Sequence, residues 1–428
     1  MLVSRGEVRE FGLTGLTRNQ VSLTAPGVRI PPSPPPRSCY FRTIFVSSHA
    51  YRFNVLALSV AIALLPRIAI AQGACGTASA GNDHWPVATI ESVGLSSETL
   101  CPMVKWLSDW KEGNVHSVLV VRHGKLVFEH YFAGTDENLG KQVGEVNFGP
   151  ETRHDARSMT KSVTDLLVGI AIDRGWIKSI DASVFSFFPQ YADLRTPEKD
   201  RISLRHLLTM SSGLEWHEFD TPYTSDANSE IAMDNAKDPY RYALEQPVVA
   251  PPGRLWNYNS GSTELLGAIL RKATGKPLDQ LARTLLFEPL GITDVEWYKY
   301  AQGNPSAAAG LRLRPRDLAK IGQLVLQRGA WNGKQVVSAG WIDASTTPQI
   351  QGFLVFFYGY QFWLGRSLVD KHVVDWAAAW GLGGQRVFIV PDLDLVVVVT
   401  AGLYRSDMQA QVPLKILNQY VLNAVQTP

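Results

Sequence analysis

Short apolar runs rich in β-branched residues lie early and late in the chain, with a long stretch of another character between them. Ser117-Val-Leu-Val-Val121 and Leu126-Val-Phe128 flank His123-Gly124, which predicts a hairpin. Val387-Phe-Ile-Val390 and Leu395 to Thr400 are separated by the turn pair Pro391-Asp392 and predict two more strands. From about residue 183 to 326 the chain reads as helical and loop-rich, with helices predicted over Leu204–Met210, Glu264–Ala273, Leu278–Phe287 and Asp317–Leu326. No repeat appears. This distribution predicts an α+β fold: one antiparallel sheet built from both chain ends and flanked by helices, with a helical subdomain at about 183–326 inserted between them. Three further helices are predicted, from Ser96 or Ser97 to Gly113, from Ser158 to Arg174 where Gly175 stops it, and from Met408 to Leu422. Clefts between such units are where small-molecule sites usually form.

The first seventy or so residues differ from the rest. Pro31 to Pro36 is aperiodic, and Val55 to Leu65 is an unbroken apolar run preceded by Arg42 and Arg52 and followed by Ala69-Ile70-Ala71. These are the basic, apolar and small-residue parts of a secretory signal, so residues 1–71 are expected to be a leader cleaved before Gln72. The apolar run is too short to span a bilayer, and no stable membrane span is expected after cleavage. The mature domain would then occupy 72–428, exported to a periplasmic or extracellular location. Cys75 and Cys101 form an even pair for such an oxidising compartment, either as a disulfide or as two free thiols.

Composition narrows the partner. With 41 basic and 39 acidic residues the formal net charge is +2, which gives no sequence-wide attraction to nucleic acid or anionic membrane. A small molecule is the expected partner; oligomeric state is not legible. His206, His217 and His372 have no metal-ligand spacing, and neither a phosphate loop nor a G-x-S-x-G elbow occurs, so no cofactor or metal is implied by motif.

The chemistry rests on three stretches. Ser158-Met-Thr-Lys161 places a hydroxyl and an amine three apart at a predicted helix N-terminus, where free N–H groups can stabilise an oxyanion. Ser108-Asp-Trp-Lys111 has the same spacing but falls late in a helix, without free donors beside it. Trp256-Asn-Tyr258-Asn-Ser260-Gly261 puts a tyrosine in a polar turn, able to share a proton with Lys161. Trp380-Gly-Leu-Gly-Gly-Gln385 runs into a strand, and its glycines let backbone approach a ligand closely.

The order Ser158-x-x-Lys161, Tyr258-x-Ser260, glycine-rich strand entry resembles the serine β-lactamase-like and penicillin-binding-protein-like hydrolases. Within them it is similar to class C β-lactamases, family VIII esterases, D-peptidases and 6-aminohexanoate-dimer hydrolases, so a cell-wall D-peptidase or β-lactamase, or a binding protein that has lost turnover, is the alternative to an esterase or amide hydrolase. Ile202 to Gly213, Phe287 to Ile292 and Arg316 to Gly322 add to the likeness, which covers roughly residues 95 to 405. The resemblance implies a β-lactamase/transpeptidase-like fold and an acyl-enzyme on Ser158, with Lys161 as its base and Tyr258 as the proton relay. It leaves open which of Lys161 and Tyr258 is the acylation base. The oxyanion hole would be the Ser158 N–H plus that of Leu382 or Gly383, and Tyr223, Ser260, Trp380 and Gly381 would contact substrate. Trp216, Tyr358, Tyr360 and Trp363 are further aromatics that could wall an acyl pocket.

Two departures matter. Ser260 stands where penicillin-binding relatives carry Asn, and Ala379-Trp380-Gly381 stands where they carry Lys-Thr-Gly or His-x-Gly. The second removes a cation from the expected place of a substrate carboxylate and favours ester or neutral amide substrates over β-lactams. Arg386 is the one nearby residue able to restore it.

The leader and the cysteine pair generate one expectation: exported protein begins near Gln72 and carries a Cys75–Cys101 bond. Intact mass with and without reductant checks both, and a retained leader or two free thiols would each refute its half.

Overall fold

The computed structural model describes residues 75–76 and 78–426, so the leader expected over 1–71 lies outside the described residues. An eight-stranded antiparallel sheet dominates. Its spatial order is Ile350–Gln351, Phe357–Tyr358, Trp363–Val369, His372–Gly381, Gln385–Val390, Leu395–Ala401, Val115–Arg122 and Lys125–Tyr131. The two chain ends meet where Val115–Arg122 pairs with Leu395–Ala401, with Val118 opposite Val399 and Val120 opposite Val397. This is the predicted α+β sheet.

Both central strands are buried along their whole length, because helices cover both faces of the sheet. Alternation divides the side chains between two cores. Leu119, Val121, Val396 and Val398 face the helices Met159–Asp173 and Pro315–Leu326, while Val118, Val120, Val397 and Val399 face Pro102–Asp109 and the C-terminal helix. The helix Pro315–Leu326 lies close against the sheet: a Cβ added at Gly322 would come within 2.6 Å of both Val387 Cγ1 and Val396 Cγ1.

The predicted hairpin is present, with His123 and Gly124 both at positive φ as a tight two-residue turn requires. The helix expected from Ser96 to Gly113 is two pieces. Ser96 caps Ser97–Leu100, and Pro102 starts a second segment that runs to Asp109, because proline is favoured at a first helical position and not inside a helix. The last helix is likewise interrupted, α-helical over Met408–Lys415 and wider over Ile416–Val421, following Pro413. Cys75 and Cys101 are joined by a disulfide with Cα atoms 5.0 Å apart, tying the start of the described chain to the junction of those two helical pieces. Among the described residues no helix is long and apolar enough to cross a membrane.

The Gly322 contact predicts overpacking on substitution. Gly322→Ala should lower stability by about 1–3 kcal/mol, read as a lower urea midpoint with an unchanged denaturant slope.

Candidate active site

The strand His154–Asp155 leads into the turn before Ser158, and Arg157 sits there in the left-handed region at φ 49°. A non-glycine residue holds that conformation only when its surroundings enforce it. Ser158 follows with helical angles (φ −65°, ψ −5°) at the head of the helix Met159–Asp173, yet its side chain makes no capping bond. Its hydroxyl instead accepts a 3.0 Å hydrogen bond from Lys161 Nζ, one turn along. Ser108, in contrast, lies exposed at the end of its helix.

Lys161 is 2% exposed, and no carboxylate reaches its ammonium within ion-pairing distance among the described residues. Nζ also donates to the Ala308 carbonyl at 3.2 Å and lies 4.9 Å from the centre of the Tyr258 ring. The Ala308 carbonyl is itself held in place by Glu264. That buried carboxylate accepts from the Ser306 hydroxyl at 2.8 Å, the Ala308 N–H at 2.9 Å and the Ala307 N–H at 3.2 Å. Tyr258 is buried beside Ser158; burial and then Glu218 push its phenol well above the usual range, and the Ser158 hydroxyl and Arg386 pull the other way. The structure thus brings Ser158, Lys161 and Tyr258 together.

The strand entry resolves into separate duties. The Gly383 N–H donates to Gln409 Oε1 at 2.8 Å and is therefore committed, whereas the Ser158 and Leu382 N–H groups have no acceptor among the described residues. Of the two expected alternatives, the Leu382 N–H is the one left available to an oxyanion. Gly381 meets protein rather than the cavity: a Cβ there would come within 2.4 Å of the Ala156 carbonyl, under the turn before Ser158. Ser260 is likewise not on the cavity wall, since it is fully buried and donates its hydroxyl to Glu218 at 2.8 Å. Arg386 does not reach the cavity either. It is fully buried, stacks 3.6 Å from the Trp380 ring centre and donates to the carbonyls of Gly381 and Gln385, each at 2.7 Å.

Ser158 stands between two cavities. One, of about 810 Å³, is walled by Phe219, Tyr258, Phe353, Phe356, Trp363 and Trp380. Phe219 stacks on Tyr258 at 4.5 Å, and Trp363 lies 5.2 Å from Trp380. The other, of about 430 Å³, carries Arg157, Glu230, Asp234, Tyr298 and Ser306. Tyr223 and Leu382 border both. Tyr223 gives its hydroxyl to Glu218 at 3.0 Å. Trp216 also serves Glu218, Tyr360 accepts from Arg205, and Tyr358 packs behind Trp256 and Trp363, so these three do not line the cavities. Desolvation and then Glu218 push Glu230 up to about 8, and desolvation and then Glu264 push Asp234 up to about 7. Sequence reasoning did not single out Glu218, Glu230, Asp234, Glu264 or Gln409; each acts through contacts that no local spacing announces.

The chain is similar to several known proteins. A family model described as Beta-lactamase matches residues 113–415. The 6-aminohexanoate-dimer hydrolase of Paenarthrobacter ureafaciens is 24% identical over 65% of this chain and 70% of its own. Esterase EstB of Burkholderia gladioli is 28% identical over 41% of this chain, a match that spans only 45% of the esterase. Among solved structures, EstCE1, a hydrolase with promiscuous acyltransferase activity, aligns with a TM-score of 0.58 at 18% identity, covering 79% of this chain and 97% of its own. The octameric penicillin-binding protein homologue of Pyrococcus abyssi aligns at 0.56 and 20% identity, covering 75% and 77%.

The close approach of Gly381 to Ala156 predicts that Gly381→Ala displaces the turn before Ser158. If Ser158 is catalytic, a shift of about 1 Å there should lower hydrolytic turnover by on the order of 10²-fold, measured on an ester substrate while circular dichroism stays native.

Proposed function

The chain belongs to the Beta-lactamase family, and from that premise we propose that it is an exported serine hydrolase that forms an acyl-enzyme on a small ester or amide. The observation that carries this reading is the 3.0 Å contact between Lys161 Nζ and a Ser158 hydroxyl released from capping duty. Ser158 Oγ bonds to the substrate carbonyl carbon, and its proton passes to the Lys161–Tyr258 pair. The oxyanion that develops is met by the Ser158 and Leu382 N–H groups. Tyr258 returns the proton to the leaving oxygen or nitrogen as its bond to the carbonyl carbon breaks, and water then reverses the sequence to free the acid.

Lys161 Nζ lies within hydrogen-bond reach of the Ser158 hydroxyl and over the face of the Tyr258 ring, the placement that a proton acceptor for Ser158 requires. The aromatic cavity suits an apolar acyl group. The smaller cavity carries Glu230 and Asp234 beside Arg157 and Arg405, and both arginines are paired with Glu137; with the missing lysine at Ala379 and the inward-turned Arg386, this favours a neutral or cationic group over a carboxylate. The disulfide supports export, since such bonds persist in oxidising compartments.

A fluorophosphonate should label Ser158, and Ser158→Ala should abolish both labelling and turnover. Tyr258→Phe should lower turnover by about 10²-fold or more, while Ser108→Ala leaves it unchanged; inactivity of the Ser108 variant instead would overturn the assignment. In a substrate panel, neutral aryl esters should exceed their carboxylate-bearing analogues by at least roughly 10-fold in kcat/KM. Glu230 and Asp234 gain charge as pH rises through their raised values, while an alkyl ammonium stays protonated to about 10. The preference for an ammonium-bearing ester over its neutral analogue should therefore grow from about pH 6 to about pH 9, and Glu230→Gln should flatten that growth.

A further inference from the structure

Behind the active-site wall lies a polar cluster that the hydrolytic chemistry does not use. His116, from the strand Val115–Arg122, and His154, from the strand before the nucleophile, are both fully buried, and Asp136, from the strand Ala133–Asn138, is 3% exposed. One ligand atom from each of the three lies within 4.8 Å of the others. His116 Nδ1 is 2.7 Å from His154 Nε2, and the latter is 3.7 Å from Asp136 Oδ1.

The outer ring nitrogens decide what the inner ones can be. His116 Nε2 faces two oxygens, the Thr135 carbonyl at 3.1 Å and Asn114 Oδ1 at 3.2 Å, so it must carry hydrogen. Asn114 is fixed in that orientation because its amide nitrogen donates to the Thr135 carbonyl at 2.9 Å and its oxygen accepts from the Thr135 N–H at 3.1 Å. His154 Nδ1 faces the Asp155 carbonyl at 3.1 Å, so it too carries hydrogen. A neutral imidazole has one hydrogen. Both inner nitrogens are then lone pairs aimed at each other beside a carboxylate, an arrangement that requires a cation between them.

The geometry points to a divalent transition-metal site of the zinc type, formed by His116 Nδ1, His154 Nε2 and the Asp136 carboxylate. Two imidazoles and one carboxylate are a usual ligand set for such an ion. Ligating histidines ordinarily donate their other N–H to a carbonyl or carboxylate, as both do here. Metal–nitrogen bonds of about 2.0–2.1 Å place two ligating nitrogens about 3.3 Å apart in a tetrahedral site, so the rings need separate by only about 0.6 Å. The slot is shaped for His116: an added Cβ at Gly134 or Gly402 would come within 2.9 or 2.8 Å of its ring, and Phe148 stacks on it at 4.0 Å. A cavity of about 930 Å³ bordered by Asn114, Thr135, Asp136 and Tyr404 offers an entry path and room for a water as fourth ligand. The ion would join three strands. Asp136 also accepts from the Tyr404 hydroxyl at 3.0 Å, and the Tyr404 ring underlies Gly383 of the oxyanion turn, so the ion would brace that turn without touching substrate.

The alternative occupant is a single proton shared by the two rings, and the test separates them independently of any hydrolytic activity. The full chain is produced in zinc-supplemented medium and its metal content measured; chelator-treated protein is then titrated with Co²⁺ and followed by visible absorption. One equivalent of zinc and one of Co²⁺ are expected, with zinc raising the melting temperature. His116→Ala and His154→Ala should abolish Co²⁺ binding, Asp136→Asn should weaken it at least tenfold, and Ser158→Ala should leave it intact. Should the histidine variants fail to fold, Asp136→Asn decides: a folded variant that binds as wild type overturns the site. So does folded wild type that takes up neither metal, which leaves the proton as occupant.

Discussion

The pairing of Val115–Arg122 with Leu395–Ala401 is the contact on which the rest of the structure depends. It closes nearly the whole described chain into one loop, and the entropic cost of such a closure grows only slowly with length. Once made, it creates two buried faces from one pair of strands. Alternate valines supply one face to the nucleophile helix and the other to the helices at the two chain ends. The active site is a consequence of that division. Ser158 heads a helix pressed on one face, and Leu382 leaves the same sheet on the turn between His372–Gly381 and Gln385–Val390.

Within that frame the candidate site is organised around the buried Lys161 amine and the groups that hold it. Lys161 is held by a hydroxyl, a carbonyl and a ring face, and Glu264 acts on it through the backbone of residues 306–308. Arg386 is likewise buried, satisfied by carbonyls and by the face of Trp380. Both fold inward, and the cavity walls carry aromatic and acidic groups together with Arg157 and Arg405, which sets the electrostatic character offered to a substrate.

Much of this was legible in the sequence, and the limits have physical causes. The hairpin, the nucleophile helix and the late strands follow from periodicity and turn residues, because each is specified within a short window. The serine, lysine and tyrosine could be found because helical spacing and a polar turn fix them locally. Glu218 could not, since its meaning comes from four groups delivered to it by the fold: the Trp216 ring, the Tyr223 hydroxyl and the Ser260 N–H and hydroxyl. Ser260 and Gly381 are expected to touch substrate by resemblance, but Ser260 opens the helix Ser260–Thr274 and is held by Glu218, while Gly381 packs on the Ala156 carbonyl. The strands Trp363–Val369 and His372–Gly381 escaped because their exposed positions, such as Arg366, His372 and Asp375, interrupt the apolar signal. The His116–Asp136–His154 cluster is assembled from three strands and has no signature in any one of them.

The order of these parts along the chain also governs when the protein can act during its own synthesis. The helix bearing Ser158 and Lys161 emerges from the ribosome well before the turn bearing Leu382, and the strand that closes the sheet comes later still. A partly made chain therefore holds Ser158 without the Leu382 N–H and without the sheet that presses its helix into place. Under the proposed mechanism a chain cut short before the final strands would be an inert fragment rather than a poorly selective acylating agent, so the proposed nucleophile would be armed only when the last strands have been added.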